Sequence, residues 1–235
     1  MRSRLPSAGA CALLSTVLVA ILSGCGSSSS SGNGLDSKSP AQIVAAAKAA
    51  AAGAASAHVA GSIVDKGKPI SLDMELVAGK GGKGKLTLNG LSINLVQVNG
   101  AVYMNGSTAF YKQVAGDAAA QLLQGKWLKA PSSDSNFASL AQLTDLNKLI
   151  GTTLASHGKL TSAGAKTIAG QKTVGVTDAT KGGTLYVAST GTAFPIEIAK
   201  TGASGGTITF DHWNKPVTLS APTNAINIDQ LKSGR

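Results

Sequence analysis

Lys85-Leu86-Thr87-Leu88-Asn89-Gly90-Leu91-Ser92-Ile93-Asn94-Leu95-Val96-Gln97-Val98-Asn99-Gly100-Ala101-Val102-Tyr103-Met104 is the stretch that decides the fold class of this chain. Apolar and polar residues alternate on both sides of Asn89-Gly90, with Leu86 and Leu88 before it and Leu91, Ile93 and Leu95 after it. Alternation is the period of a half-buried strand, and Asn-Gly marks a hairpin turn or a bulge. Asn99-Gly100 repeats the device between Val96-Gln97-Val98 and Ala101-Val102-Tyr103-Met104. Strands joined this tightly are antiparallel, because parallel neighbours need a crossover of a dozen residues or more.

Upstream, Leu72, Met74 and Leu76 form one face of a further strand, with Ser71, Asp73 and Glu75 on the other. Between them, Gly79-Lys80-Gly81-Gly82-Lys83-Gly84-Lys85 lacks the Gly-Lys-Ser/Thr ending of a phosphate loop and reads as a mobile hairpin loop. Residues 40–56 are nearly all alanine; Ser39 suits the N-cap and Pro40 the first helical position. Downstream, Asn105-Gly106 offers another turn, and Phe110-Tyr111-Lys112 reads as a strand after it. Residues 117–124 and 139–150 carry leucines at helical spacing, including Leu140, Leu143, Leu146 and Leu149. Asp145 suits the cap of a second short helix and Gly151 its end. Alternation returns from Gly158, over residues 173–177, 184–188, 196–199 and 207–210. Segregated blocks of this kind predict an α+β domain with helices on one face of an antiparallel sheet.

The N-terminal segment gives an address. Arg2 and Arg4 precede an uncharged run over 8–22, and Leu22-Ser23-Gly24-Cys25 closes it. A positive start, a short apolar run and small residues at a cleavage point make a secretory signal. Read instead as a transmembrane helix, the run rises about 22 Å, short of a roughly 30 Å hydrocarbon core. The arrangement resembles the bacterial lipobox, which implies a diacylglycerol on the Cys25 sulfur and an acylated (palmitate-bearing) N-terminus on the extracytoplasmic side of the cell membrane. The other cysteine, Cys11, falls in the removed segment, so the mature chain offers Cys25 no intramolecular disulfide partner. The expected organisation is a signal peptide over 1–24, the lipidated cysteine with a flexible Gly/Ser linker over 25–39, and one domain over 40–235. Losing the first 24 of 235 residues, with Arg2 and Arg4, leaves 211 residues and lowers the formal charge from +10 to +8. The 14-residue linker over 26–39 would span roughly 20 Å as a coil. The scattered lysines fit either a solvated surface or attraction to anionic head groups and wall polymers. Nucleic acid is excluded as a partner, since no basic helix with interleaved aromatics is present.

Catalytic and metal-binding patterns are missing from the sequence. His58, His157 and His212 are far apart in the chain, none has a second ligand at metal spacing, and no Gly-x-Ser-x-Gly elbow occurs. No catalytic residue, metal ligand or cofactor is nominated, and the chain is read as a non-enzyme. Trp127 and Trp213, each with neighbouring lysines, fit core or rim packing, with a sugar or lipid platform as the other use.

Several segments, taken together and in order, resemble the LppX/LprG-type bacterial lipoproteins and, more distantly, the LolA/LolB carriers. They are Ser56-Ala57-His58-Val59, Lys85-Leu86-Thr87-Leu88-Asn89-Gly90, Val98-Asn99-Gly100-Ala101-Val102-Tyr103 and Gly125-Lys126-Trp127-Leu128. Further on come Ile168-Ala169-Gly170-Gln171-Lys172-Thr173, Leu185-Tyr186-Val187, Phe194-Pro195-Ile196 and Phe210-Asp211-His212-Trp213-Asn214-Lys215-Pro216-Val217. The resemblance implies a strongly curved antiparallel sheet, a half barrel, with helices across its concave face. Between them it implies an apolar cavity for the acyl chains of a lipid or lipoglycan. An acyl methylene is worth about 0.8 kcal/mol against water but gains almost nothing against a bilayer. A carrier therefore needs dry apolar walls, and direction would come from a partner such as a membrane transporter. The residues expected to line the cavity are Leu72, Met74, Leu76, Leu86, Leu88, Ile93, Leu95, Tyr103, Leu140 and Leu143; the same residues would equally build a filled core. Two other functions stay open at this point: a structural or adhesive envelope lipoprotein with that filled core, and an enzyme acting on wall polymers, for which no residue is nominated.

Overall fold

The computed structural model describes residues 32–155 and 157–233. Ser39 starts helix α1 (Pro40–Ala52) with a capping box: its hydroxyl accepts the Gln42 N–H, and the Gln42 side chain accepts the Ser39 N–H at 3.0 Å. The helix buries Ile43, Val44, Ala47 and Ala51, and its small side chains let its axis lie close to the sheet. A five-strand meander follows: β1 (Ser56–Asp65), β2 (Lys68–Val77), β3 (Gly81–Leu88), β4 (Leu91–Val98) and β5 (Ala101–Gly106). Both Asn-Gly pairs are two-residue turns with positive φ at each residue, 49° and 82° at Asn89-Gly90 and 53° and 72° at Asn99-Gly100. That conformation matches the twist of the flanking strands and favours this dipeptide.

The chain then forms α2 (Thr108–Leu123), β6 (Leu128–Pro131), α3 (Ala138–Leu143) and α4 (Leu146–Ala155). A second meander comprises β7 (Leu160–Ile168), β8 (Gln171–Asp178), β9 (Thr184–Ala188), β10 (Pro195–Lys200) and β11 (Gly206–Asp211), before β12 (Ile226–Asn227) and α5 (Ile228–Ser233). Among the described residues, twelve strands make one open sheet in the order β12-β6-β5-β4-β3-β2-β1-β11-β10-β9-β8-β7. The β1–β11 pair joins the two meanders, and the short β12–β6 contact is parallel. The sheet is strongly curved, with helices on its concave face: the segregated strand and helix blocks predict helices on one face, and the resemblance implies the curvature. Glycines permit the bending: a Cβ on Gly84 would lie 2.1 Å from the Asp73 carbonyl, and one on Gly61 2.0 Å from that of Thr207.

Val59, Met74, Leu76, Leu86, Ile93, Leu95, Val174, Val176, Val187 and Phe210 meet α1 and α4 in the main core. On the opposite face Val98, Ala101 and Tyr103 pack with Trp127 and Leu219. Among the described residues no buried side-chain nitrogen or oxygen lacks a partner. No described helix is long and apolar enough to cross a membrane.

Four local expectations are corrected. Phe110-Tyr111-Lys112 lies in α2, not in a strand, because the Ser107 hydroxyl accepts the Phe110 N–H at 3.1 Å and caps a helix there. Asn105-Gly106 consequently ends β5 instead of turning the chain. Gly116, at φ 86°, breaks α2 into 108–115 and 117–123, the second being the helix read from sequence. Gly151 lies inside α4, which runs on to Ala155 and buries Leu154 against the core. Residues 81–85 are not a loop but the first half of β3, paired with β2 on one side.

The expected linker over 25–39 is also shorter than read. Residues 25–31, with Cys25, lie outside the described residues. Residues 32–38, however, are docked: Asn33 donates its N–H to the Ser189 carbonyl at 2.8 Å and its side-chain amide to Ala188 and Gly191. Leu35, a single apolar residue in a polar stretch, is buried in the main core.

Candidate functional site

Leu72, Met74 and Leu76 point to the concave face of β2; Leu86 and Leu88 of β3 and Ile93 and Leu95 of β4 stand beside them in register. Leu140 and Leu143 face them from α3, half-buried against the same core. Nine of the ten side chains expected around a cavity therefore share one side of the sheet. Five of them, Leu72, Met74, Leu86, Leu95 and Leu143, line a single pocket together with Leu149 of α4. The pocket is wholly apolar and nearly full, with about 10 Å³ open to the centre of a water molecule, room for about one water. Leu76, Leu88, Ile93 and Leu140 belong to the surrounding core.

Tyr103 is the exception and is corrected here. It pairs across with Val96 and Lys129 on the opposite face, where it joins Val98, Ala101 and Trp127. Strand period two sends Val102 and Met104 inward and Tyr103 outward. Tyr103 was expected on the cavity-lining face, whereas its place in the alternation of β5 puts it on the other side.

The roof over the pocket is held at one polar point. Thr144, between α3 and α4, is wholly buried and donates its hydroxyl hydrogen to the Gln97 side-chain oxygen on the concave face of β4. Gly82 makes room for this corner: a Cβ there would come within 3.1 Å of the Thr144 carbonyl. Asp145 accepts the Lys148 N–H at 3.0 Å and caps α4, as its position predicts. By contrast α3 itself has no buried residue.

A second, more open pocket of about 110 Å³ lies at the far end of the concave face, between α1, α4 and the β8–β9 turn. Val44, Leu154, Val176, Leu185 and Ile198 form its walls, and Thr153, His157, Asp178 and Thr184 its polar border. Backbone N–H groups of Lys181, Gly158 and Thr180 bind the Asp178 carboxylate and lower its pKa from the ordinary aspartate value.

The histidines that stand far apart in sequence are not all apart in space. His58 and His212 meet across β1 and β11, beside Asp211, on the convex face. Partial burial lowers the His58 pKa, but hydrogen bonds to Asp73 and Asp211 outweigh it and hold it above the ordinary histidine value. Trp213 stacks on Phe194 at 4.5 Å, and Trp127 packs in the convex-face cluster. Both tryptophans are packing residues here.

No protein-family model and no curated protein matches this chain. The fold is an open, curved antiparallel sheet with helices in its hollow, and it is similar to that of solved bacterial proteins. LprF from Mycobacterium bovis superposes with a TM-score of 0.56 at 16% identity, over 78% of this chain and 96% of that one. The Mycobacterium tuberculosis lipoprotein LppX superposes with a TM-score of 0.50 at 21% identity, over 77% of this chain and 100% of that one. The likeness read from sequence segments is thus present in the backbone.

Proposed function

We propose that this protein is a membrane-anchored lipoprotein that takes the acyl chains of a lipid or lipoglycan between the sheet and helices α3 and α4. The anchor is Cys25, and the domain works at the extracytoplasmic face of the cell membrane without catalysis. The observation that carries the reading is the convergence of Leu72, Met74, Leu86, Leu95, Leu143 and Leu149 on one pocket without a polar side chain. Such walls match a bilayer as a solvent, which is what reversible exchange with a membrane requires. The shared fold with the lipoprotein LppX supports it.

Loading requires the roof to rise, since an acyl chain needs many times the space now open. With no residue of its own buried, α3 is the piece least costly to displace. Transfer between membranes would take its direction from a membrane partner, since the domain holds no energy source.

Mass spectrometry of organic extracts from full-length protein purified from its native host tests this reading. A co-purifying lipid, and uptake of a fluorescent acyl probe, are expected. Absence of both would favour the second reading, an envelope lipoprotein with a filled core, which the small pocket volume supports.

A further inference from the structure

On the convex face, opposite the pocket, β1 and β11 set His58 directly across from Asp211. Nδ1 of His58 lies 2.7 Å from Oδ1 of Asp211. A residue following Asp211 in extended backbone would point to the concave face. His212 instead adopts φ 48°, which turns its ring onto the convex face beside its neighbour. Its Nδ1 lies 3.4 Å from the same Asp211 oxygen, and its ring centroid 5.6 Å from that of His58. One donor atom from each of the three residues falls within 4.8 Å of the other two.

The turn that carries His212 is fixed on both sides. Trp213 turns inward, stacks on Phe194 and donates its indole N–H to the Pro195 carbonyl at 3.2 Å. Asn214, also at positive φ, accepts the Ala55 N–H at 2.7 Å and donates its own N–H to Ser56 at 2.9 Å. Left-handed backbone at two non-glycine residues costs free energy and persists where the surroundings impose it. Here the surroundings place two imidazoles and a carboxylate on one spot, with the solvent side open.

Two imidazole nitrogens and one carboxylate oxygen suit a borderline divalent transition ion, whereas magnesium and calcium prefer an all-oxygen set. His58 also has the outer support such ligands need, because its Nε2 lies 3.1 Å from Oδ1 of Asp73. Nδ1 shares a proton with Asp211 in this structure; an ion that displaces that proton takes the Nδ1 lone pair while Nε2–H stays donated to Asp73. Lys83, which lines the same surface pocket as His58 and His212, is paired with Glu75 at 3.1 Å.

We propose that His58, Asp211 and His212 bind one zinc-class divalent ion on the convex face of the sheet, with Asp73 orienting His58. The site stands on side chains separate from the apolar pocket and is independent of lipid loading.

Untagged full-length protein in detergent, stripped with chelator, is titrated with Zn²⁺ by calorimetry and with Co²⁺ by visible absorption. One equivalent is expected, with no response to Mg²⁺. His212→Ala, at an exposed side chain, should weaken Zn²⁺ binding at least tenfold while the circular dichroism spectrum is unchanged. Asp73→Asn should weaken it roughly tenfold, the loss typical of an outer carboxylate. Failure to bind one equivalent, or binding that survives His212→Ala within threefold, overturns the proposal.

Discussion

Thr144 and Gln97 are joined by a hydrogen bond inside an otherwise apolar space, the hydroxyl donating to the side-chain oxygen. The pair ties the α3–α4 corner to the middle of β4, directly over Gly82. Thr144→Val keeps the shape and removes the donor to the part-buried Gln97 side-chain oxygen. The expected cost is about 1–3 kcal/mol, read as a lower urea midpoint with the same slope. Hydrogen exchange over residues 138–155 should speed up, and acyl-probe uptake should become faster.

Leu95 and Leu143 separate packing from loading. Leu95 is fully buried, and Leu95→Ala should destabilise by about 2–5 kcal/mol. Leu143 is half-buried on the displaceable α3, so Leu143→Trp should push α3 outward at a cost of about 1–3 kcal/mol and occupy the space an acyl chain would need, with the fold intact. Reduced binding of a fluorescent acyl probe is the expected outcome. Unfolding of the variant would instead mean that the space is a rigid core.

Tyr111 accepts the Gly106 N–H on its hydroxyl at 2.9 Å, and the ring is buried. Burial raises the phenol pKa, the Gly106 hydrogen bond acting the other way. Tyr111→Phe should cost about 1 kcal/mol through the orphaned N–H, measured by denaturant unfolding at neutral pH.

Asp178 gives a pH signature. Its folded pKa is depressed by the N–H groups of Lys181, Gly158 and Thr180. A depressed carboxylate stabilises the fold above its unfolded pKa, here 3.8, and that contribution is lost as pH falls through the lower folded value. The difference in thermal midpoint between wild type and Asp178→Asn should therefore be constant from neutral pH to about pH 4.5 and shrink below pH 3.8. A difference that does not change with pH would assign the effect to geometry alone.

Gly84→Ala tests the curvature. The added Cβ would meet the Asp73 carbonyl at 2.1 Å, on backbone at φ 157°. Opening β2 from β3 at that point should cost at least about 2 kcal/mol, seen as a lower thermal midpoint or loss of soluble protein.

The strands were legible because their period and their turns agree: Leu86, Leu88, Ile93 and Leu95 alternate on either side of an Asn-Gly pair that has the positive φ such a turn needs. The start of α1 was legible from Ser39 and Pro40 for the same local reason. Phe110-Tyr111 misled because aromatic residues after Asn-Gly suit a strand, while the deciding signal was the Ser107 cap three residues earlier. Residues 81–85 misled because glycine and lysine are poor strand formers; pairing with β2 and β4 overrides that preference. Alternation placed Leu72, Met74, Leu86 and Leu95 on one face, and the resemblance suggested that this face lines a cavity; Tyr103 was misplaced because its position in the alternation of β5 faces the other way. The His58–His212 meeting was beyond reach, since it depends on β1 pairing with β11, two strands separated by most of the chain, and on one left-handed residue.

The docking of Asn33 beside Ser189 sets a leash. From Gly32 back to Cys25 is seven residues, a reach of at most about 24 Å when fully extended. The lipid proposed on Cys25 would therefore keep the Ala188 end of β9 within that distance of the bilayer surface. The 110 Å³ pocket opens at the other end of the same strand, by Gly182 and Thr184, about 13 Å further along. So anchored, the domain could tilt to bring that opening down to the head groups, but it could not carry it across to a second membrane while Asn33 stays clasped. In the proposed anchored state, Asn33 would set how high above the membrane the domain can ride.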